Sequence, residues 1–154
     1  MLKKTILFLI STVVLSSSLF ASPSLNDMQS CQGLLDFIDK KLEKAPSKYP
    51  SSDIKLIKDG LNEYNKYIQN EIITPGLANF NKGDYSKAKL MQKQVDAYKA
   101  NLVKAYSKKY PQNRLYSDYA IAVNNCAKLA VPKGKALEKL KASLHTIIKL
   151  AKMK

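Results

Sequence analysis

The sequence predicts an all-α protein, an antiparallel up-and-down bundle of four helices with a C-terminal fifth, held by one disulfide. Three observations lead there. Apolar residues recur at steps of three and four along most of the chain, the period of a helix that buries one face. No stretch alternates apolar and polar residues as a half-buried strand would. The two cysteines, Cys31 and Cys126, each fall inside such an apolar seam, far apart in the chain.

The opening residues stand apart from this pattern. Met1-Leu2-Lys3-Lys4 is a basic start, and Ile6 to Leu15 is an apolar run well short of the roughly 20 residues that span a membrane. Small residues follow from Ser16 to Ala21. This is the layout of an export signal cleaved after Ala21. Residues 1–21 are therefore expected to be removed, and residues 22–154 to form one periplasmic domain with no transmembrane segment. Export places both cysteines in an oxidising compartment, where pairing is the default.

The first mature helix is expected from Ser24 or Asn26 to just before Pro46, with Met28, Cys31, Leu35, Ile38, Leu42 and Ala45 inward. Gly33 costs this helix about 1 kcal/mol relative to alanine, unless a neighbouring helix needs the space. The second helix starts at the cap Ser52 or Asp53 and carries Ile54, Ile57, Leu61, Tyr64, Ile68 and Ile72 on one face. Thr74-Pro75-Gly76 should kink it, since proline lacks an amide donor. Asn81-Lys82-Gly83-Asp84 predicts a tight turn, with Asp84 capping the third helix. That helix is expected to turn Tyr85, Ala88, Met91, Val95, Tyr98, Leu102 and Ala105 inward. The fourth helix, about Gln112 to Ala130, aligns Leu115, Tyr119, Ala122, Cys126 and Leu129. The fifth, Lys135 to about Lys152, aligns Leu137, Leu140, Leu144, Ile147, Ile148 and Ala151.

In such a bundle the first and fourth helices are neighbours running in opposite directions. Cys31 lies near the start of one and Cys126 near the end of the other, so the two sulfurs should meet at the same end. Closing so long a loop stabilises by about 4–5 kcal/mol in the chain-entropy picture.

Charge and chemistry narrow the function classes. The formal net charge is +14, and without the two leader lysines 24 basic residues stand against 12 acidic ones. Arg114 is the only arginine, so the bidentate fork that reads phosphate geometry is nearly missing. With the expected compartment, this argues against nucleic acid. One histidine, His145, and a paired cysteine set cannot supply the three or four ligands of a zinc site. It lies off the apolar face, where no triad could use it. No metal, cofactor or catalytic residue is expected.

Leu25-Asn26-Asp27-Met28 resembles the opening of the cytochrome b562 bundles, where an early methionine is an axial haem ligand. Asn81-Lys82-Gly83, followed by a helix ending Ala105-Tyr106-Ser107-Lys108-Lys109-Tyr110, also resembles that family's last helix. The family's histidine has no counterpart there, since Ser107 or Val103 occupies the region. The resemblance implies a b-type haem electron-transfer bundle only if Met28 and His145 form the axial pair.

Two other features point to binding. Tyr64, Tyr98 and Tyr119 all fall on inward seams, and buried phenols need partners; a small-ligand carrier with a tyrosine-lined pocket is one reading. The stretch from Lys128 to Lys154 holds eight lysines and one acid, Glu138. This makes the fifth helix cationic and amphipathic, a form suited to an acidic partner protein or envelope surface. The expected function is thus an exported, non-catalytic binding protein, with Lys133, Lys135, Lys139, Lys141, Lys149 and Lys152 as the contact face.

Overall fold

The computed structural model describes residues 23–153, and the expected export leader, residues 1–21, lies outside them. Helix α1 spans Leu25–Glu43. Helix α2, Ser51–Tyr67, runs through a π-helical turn, Ile68–Ile73, into α3, Thr74–Phe80. Helices α4, Tyr85–Lys109, α5, Ser117–Leu129, and α6, Gly134–Ala151, complete the chain. No strand occurs among the described residues. Counting α2 to α3 as one rod gives five.

Cross-helix contacts fix the directions. From α1 to α2 the pairs Gln32–Gln69, Asp36–Asn65 and Asp39–Lys58 descend, so the two helices are antiparallel. From α2 to α6 the pairs Asp53–Lys149 and Glu63–Lys139 also descend. Ser30–Tyr98 and Phe37–Tyr106 ascend, which makes α1 and α4 parallel. Phe37–Tyr119 and Cys31–Cys126 make α1 and α5 antiparallel. The rods therefore run up, down, up, down, up.

Helix α1 is the centre of the molecule, packing on α2, the π turn, α4 and α5. Ser24 caps it by accepting from the Asp27 amide at 3.1 Å, satisfying one of the free donors at a helix start. Its buried stripe is wider than the narrow seam expected, and includes Leu34 and Phe37, because it has neighbours on several sides. Gly33 faces Leu102 of α4: a Cβ there would lie 2.9 Å from the leucine Cδ1. The disulfide joins α1 to α5 with the two Cα atoms 5.8 Å apart.

The π turn changes the expected register of the second rod. Ile72 is only half-buried, whereas Ile73 is fully buried. A π turn closes hydrogen bonds over five residues and so inserts one residue relative to an α-helix. The buried series becomes Ile68, Ile73, Leu77. Pro75 then falls in the first turn of α3, where its missing donor costs little. Further upstream, α2 begins at Ser51 behind Pro50, without a side-chain cap; Asp53 instead bonds Lys149.

Helix α4 departs most from expectation. Only Val95 and Val103 are fully buried along its length. Tyr85, Tyr98 and Ala105 are exposed, not inward. The helix packs chiefly on α1 and α3, touching the π turn through Gln92, so its buried seam is narrow, and Val103 and Tyr106 occupy the α1 side. Helix α5 starts at Ser117, later than expected, because residues 111–116 form a loop whose Leu115 is buried and donates its amide to the Tyr49 hydroxyl.

Candidate binding surfaces of the basic helices

Helix α6 buries Leu140, Ser143, Thr146, Ile147 and Leu150 against α2 and α5. The approach to α2 is close because Gly60 has no side chain. A Cβ there would stand 2.0 Å from the Ser143 Oγ and 2.6 Å from the Lys139 carbonyl oxygen. The Ser143 hydroxyl bridges the two helices, lying 3.2 Å from the Leu56 carbonyl and 2.9 Å from that of Lys139. Buried hydroxyls of this kind are stabilising only when so satisfied.

The six lysines expected to form a contact face divide into two sets. Lys139 pairs with Glu63 and Lys149 with Asp53 at 2.8 Å, so both bridge α6 to α2. Lys141 meets Glu138 on its own helix, both well exposed. Lys133, Lys135 and Lys152 have no carboxylate within 4 Å among the described residues. Along the α2–α6 seam runs a groove of about 500 Å³. Leu56, Gly60 and Ala142 line its apolar part, and the cations Lys55, Lys135 and Lys139 stand around it with the carboxylates Asp59 and Glu138.

The three tyrosines do not gather around one opening. Tyr64 is fully buried and donates its hydroxyl to the Ala130 carbonyl at 3.1 Å. Tyr119 is also buried, packed on Phe37 and Tyr110, and its hydroxyl has no partner in the protein. Burial pushes both phenols well above the usual tyrosine range. Tyr98 lies outside the core, 44% exposed, with its hydroxyl 3.3 Å from the Ser30 Oγ. The expectation that it points inward is corrected: the α1–α4 seam runs through Val95 and Val103.

Met28 is completely buried in the core, while His145 is exposed on α6, a helix that packs on α2 and α5. These two residues do not fit an axial haem pair. Among the described residues, no three histidine, cysteine, aspartate or glutamate side chains gather as metal ligands. No helix among them is long and apolar enough to cross a membrane.

Several features escaped the sequence. Lys41 is buried and donates to the carbonyls of Tyr110 and Gln112, fastening the end of α4 to α1. Desolvation, then the nearby charge of Lys44, lowers its pKa. Three glutamines, Gln32, Gln69 and Gln92, form a hydrogen-bonded chain across α1, the π turn and α4. Each neighbours a residue of an apolar seam, Cys31, Ile68 and Met91, and that adjacency was the available signal. Phe80, Leu129 and Val131 are exposed near the disulfide-bearing end of the bundle.

No protein-family model, curated protein or solved structure matches this chain.

Proposed function

We propose that this is an exported, non-catalytic binding protein that docks an acidic partner protein or envelope surface on α6. The observation that carries the reading is the division of labour among the α6 lysines. Lys139 and Lys149 hold the helix in place, and Lys133, Lys135 and Lys152 keep unspent charge. A cation without a partner gains most from an incoming carboxylate or phosphate, and steers it from a distance.

Helix α4 is also rich in lysine, but its exposed Lys104 and Lys108 stand beside the small residues Ala100 and Ala105, and Lys93 has the exposed Leu90 one turn before it. Helix α6 adds to its charges an apolar groove with Leu56 and Ala142 in its wall. Charge gives encounter rate, and buried apolar area at the centre of a contact gives residence. Along the α2–α6 seam both accompany Lys135, which has no carboxylate partner among the described residues. A small-ligand carrier built on Tyr64, Tyr98 and Tyr119 has less support, since two rings are sealed and the third lies outside.

The test is sedimentation of the purified mature protein with isolated envelopes across a salt series. The expected result is binding at low salt and release as ionic strength passes about 0.15 M, where charges are screened beyond about 8 Å. Reversing Lys133, Lys135 and Lys152 together to glutamate should abolish binding, and Lys104→Glu on α4 should not. Salt-insensitive binding, or equal loss from Lys104→Glu, removes the reading.

A further inference from the structure

We propose that a second site, the groove between α4 and the π turn, binds a neutral oligosaccharide. The groove has a volume of about 480 Å³. One wall is a stripe of α4, Tyr85, Lys89, Gln92 and Asp96, whose spacing keeps them on one face. At 1.5 Å per residue that stripe is about 16 Å long. The facing wall carries Gln69 from the π turn and Thr74 and Leu77 from α3.

The π turn is the anomaly that calls for a function. Single π turns inside α-helices occur frequently at functional sites, because they set a side chain at an angle the α-helix does not offer. Here the turn contains Gln69, which accepts from Gln32 at 3.2 Å and donates to Thr74 at 3.0 Å and Gln92 at 2.9 Å. Gln92 in turn donates to Asp96 at 3.1 Å. The inner end of this chain is anchored by Gln32, which is 2% exposed. Its outer end lies in the groove. The side chains there are therefore held in place before any ligand arrives, which lowers the ordering cost of binding.

Polar capacity remains unspent after this network is counted. Gln92 has a second amide hydrogen, Thr74 a hydroxyl hydrogen, and Asp96 a second carboxylate oxygen, Oδ2, without a hydrogen-bond partner among the described residues. Lys89 and the Tyr85 hydroxyl are likewise unpartnered there. Donors and acceptors thus surround the Tyr85 ring, which is 80% exposed, and the half-buried Ala88, with the buried Leu77 as the groove's floor. A pyranose offers the complementary surface, hydroxyls around its rim and C–H bonds on its faces. The charges in the groove are Lys89 and Asp96, the latter already paired with Lys99 at 3.1 Å; the other polar groups, on Gln69, Thr74, Gln92 and Tyr85, are uncharged, which suits a ligand held by hydroxyl hydrogen bonds more than by net charge.

An extended peptide is the competing occupant. Recurrent peptide sites use a sheet edge, an apolar groove for a helix, an aromatic-lined groove for polyproline, or an arginine cluster. None of these is present in this groove. The site is separate from the α6 lysines and does not depend on their role.

The experiment is a titration of the disulfide-bonded mature protein, by calorimetry and side-chain amide NMR, with the neutral oligosaccharides chitotriose, maltotriose and cellotriose. Saturable binding of at least one, with shifts at the Gln69 and Gln92 amides, is the expected result. Tyr85→Ala should weaken binding by about tenfold or more, the loss of one good ring contact. Tyr98→Ala, on the same helix outside the groove, should leave binding unchanged, as should the triple reversal of Lys133, Lys135 and Lys152. Tyr85 is exposed, so its variant keeps the core, and an unchanged melting curve checks this. Absence of binding to every glycan, binding unaffected by Tyr85→Ala, or capture of an extended peptide in place of a glycan would each overturn the proposal.

Discussion

The two lysine-rich helices α4 and α6 are attached to the bundle in opposite ways. Helix α6 meets α2 through a close glycine contact, a shared serine and two cross-helix ion pairs. Helix α4 leans on α1 with two fully buried valines and a row of tyrosines. Among the described residues, the buried side-chain atoms that make no hydrogen bond are Gln32 Oε1, Asp39 Oδ1, which keeps only its ion pair with Lys58 at 3.4 Å, Asn65 Oδ1 and the Tyr119 hydroxyl. All four sit on α1 or against it, and none lies on the α2–α6 seam. Similar charge thus accompanies a seam crossed by ion pairs on one side and an aromatic and aliphatic seam on the other. Charge density alone does not reveal how tightly a helix is held.

The disulfide spans the two sides, and its removal gives the largest expected effect. Replacing Cys31 and Cys126 with serine should lower stability by about 4 kcal/mol, read from denaturant midpoints. In the oxidised protein, amides of α4 should exchange with deuterium before those of α6; the reverse order would break the contrast.

Glycine substitutions probe each seam directly. Gly60→Ala drives a methyl into the backbone carbonyl of Lys139 and should cost about 1–3 kcal/mol through overpacking. Gly33→Ala meets the side chain of Leu102 instead, and a gain of about 1 kcal/mol in helix propensity offsets much of the crowding. Thermal melts of the two variants should therefore differ clearly, with Gly60→Ala the lower.

The two buried phenols should respond with opposite signs. Tyr64→Phe deletes a hydrogen bond to Ala130 and should cost about 1 kcal/mol. Tyr119→Phe removes a hydroxyl that has no partner and should be neutral or stabilising by about 1 kcal/mol. Both phenols are raised in the folded state, chiefly by burial. The fold therefore binds more protons than the unfolded chain above the ordinary tyrosine pKa. Stability should be complete below about pH 10 and fall as pH rises beyond it. Tyr119→Phe should flatten that fall; an unchanged alkaline profile would count against the buried, protonated assignment.

The smallest effect concerns surface charge. Lys149→Ala breaks an ion pair between α6 and α2 and should cost a few tenths of a kcal/mol, up to about 1. Lys93→Ala on α4 should change nothing measurable. Equal effects at both positions would show that the cross-helix pairs contribute no anchoring.

Much of this architecture was legible because it is periodic. The α1 seam, the cap at Asp84 and the meeting of Cys31 with Cys126 follow from spacing and punctuation, whereas the α6 seam is turned toward Ser143, Thr146 and Leu150 and leaves Leu137 and Ala151 only half-buried. Gly33 marked a close helix approach, although its partner, Leu102, was not evident. The π turn was hidden by its own effect, since inserting one residue exchanges Ile72 for Ile73 and leaves an apolar series that still reads as a helix. Adjacent isoleucines at that point were the only trace. Tyr98 and Tyr85 were misplaced because a helix with neighbours on one side buries fewer positions than its apolar residues suggest. The α6 lysines divide into bridging and free sets according to carboxylates on α2, residues some ninety positions away in the chain for the Asp53–Lys149 pair. Local sequence carries no information about such pairings; for the glutamine chain it shows only that each member adjoins an apolar seam, not that the three meet.

An odd number of rods has a practical consequence. Pro23 and Met153 come out at opposite poles, separated by roughly one rod, about 28 Å for a nineteen-residue helix. A tag, tether or fused protein joined at the front emerges beside Val131 and the start of α6, near Lys133 and Lys135, and one joined at the back crowds Lys152. A short linker could not close this polypeptide into a circle without unwinding a helix.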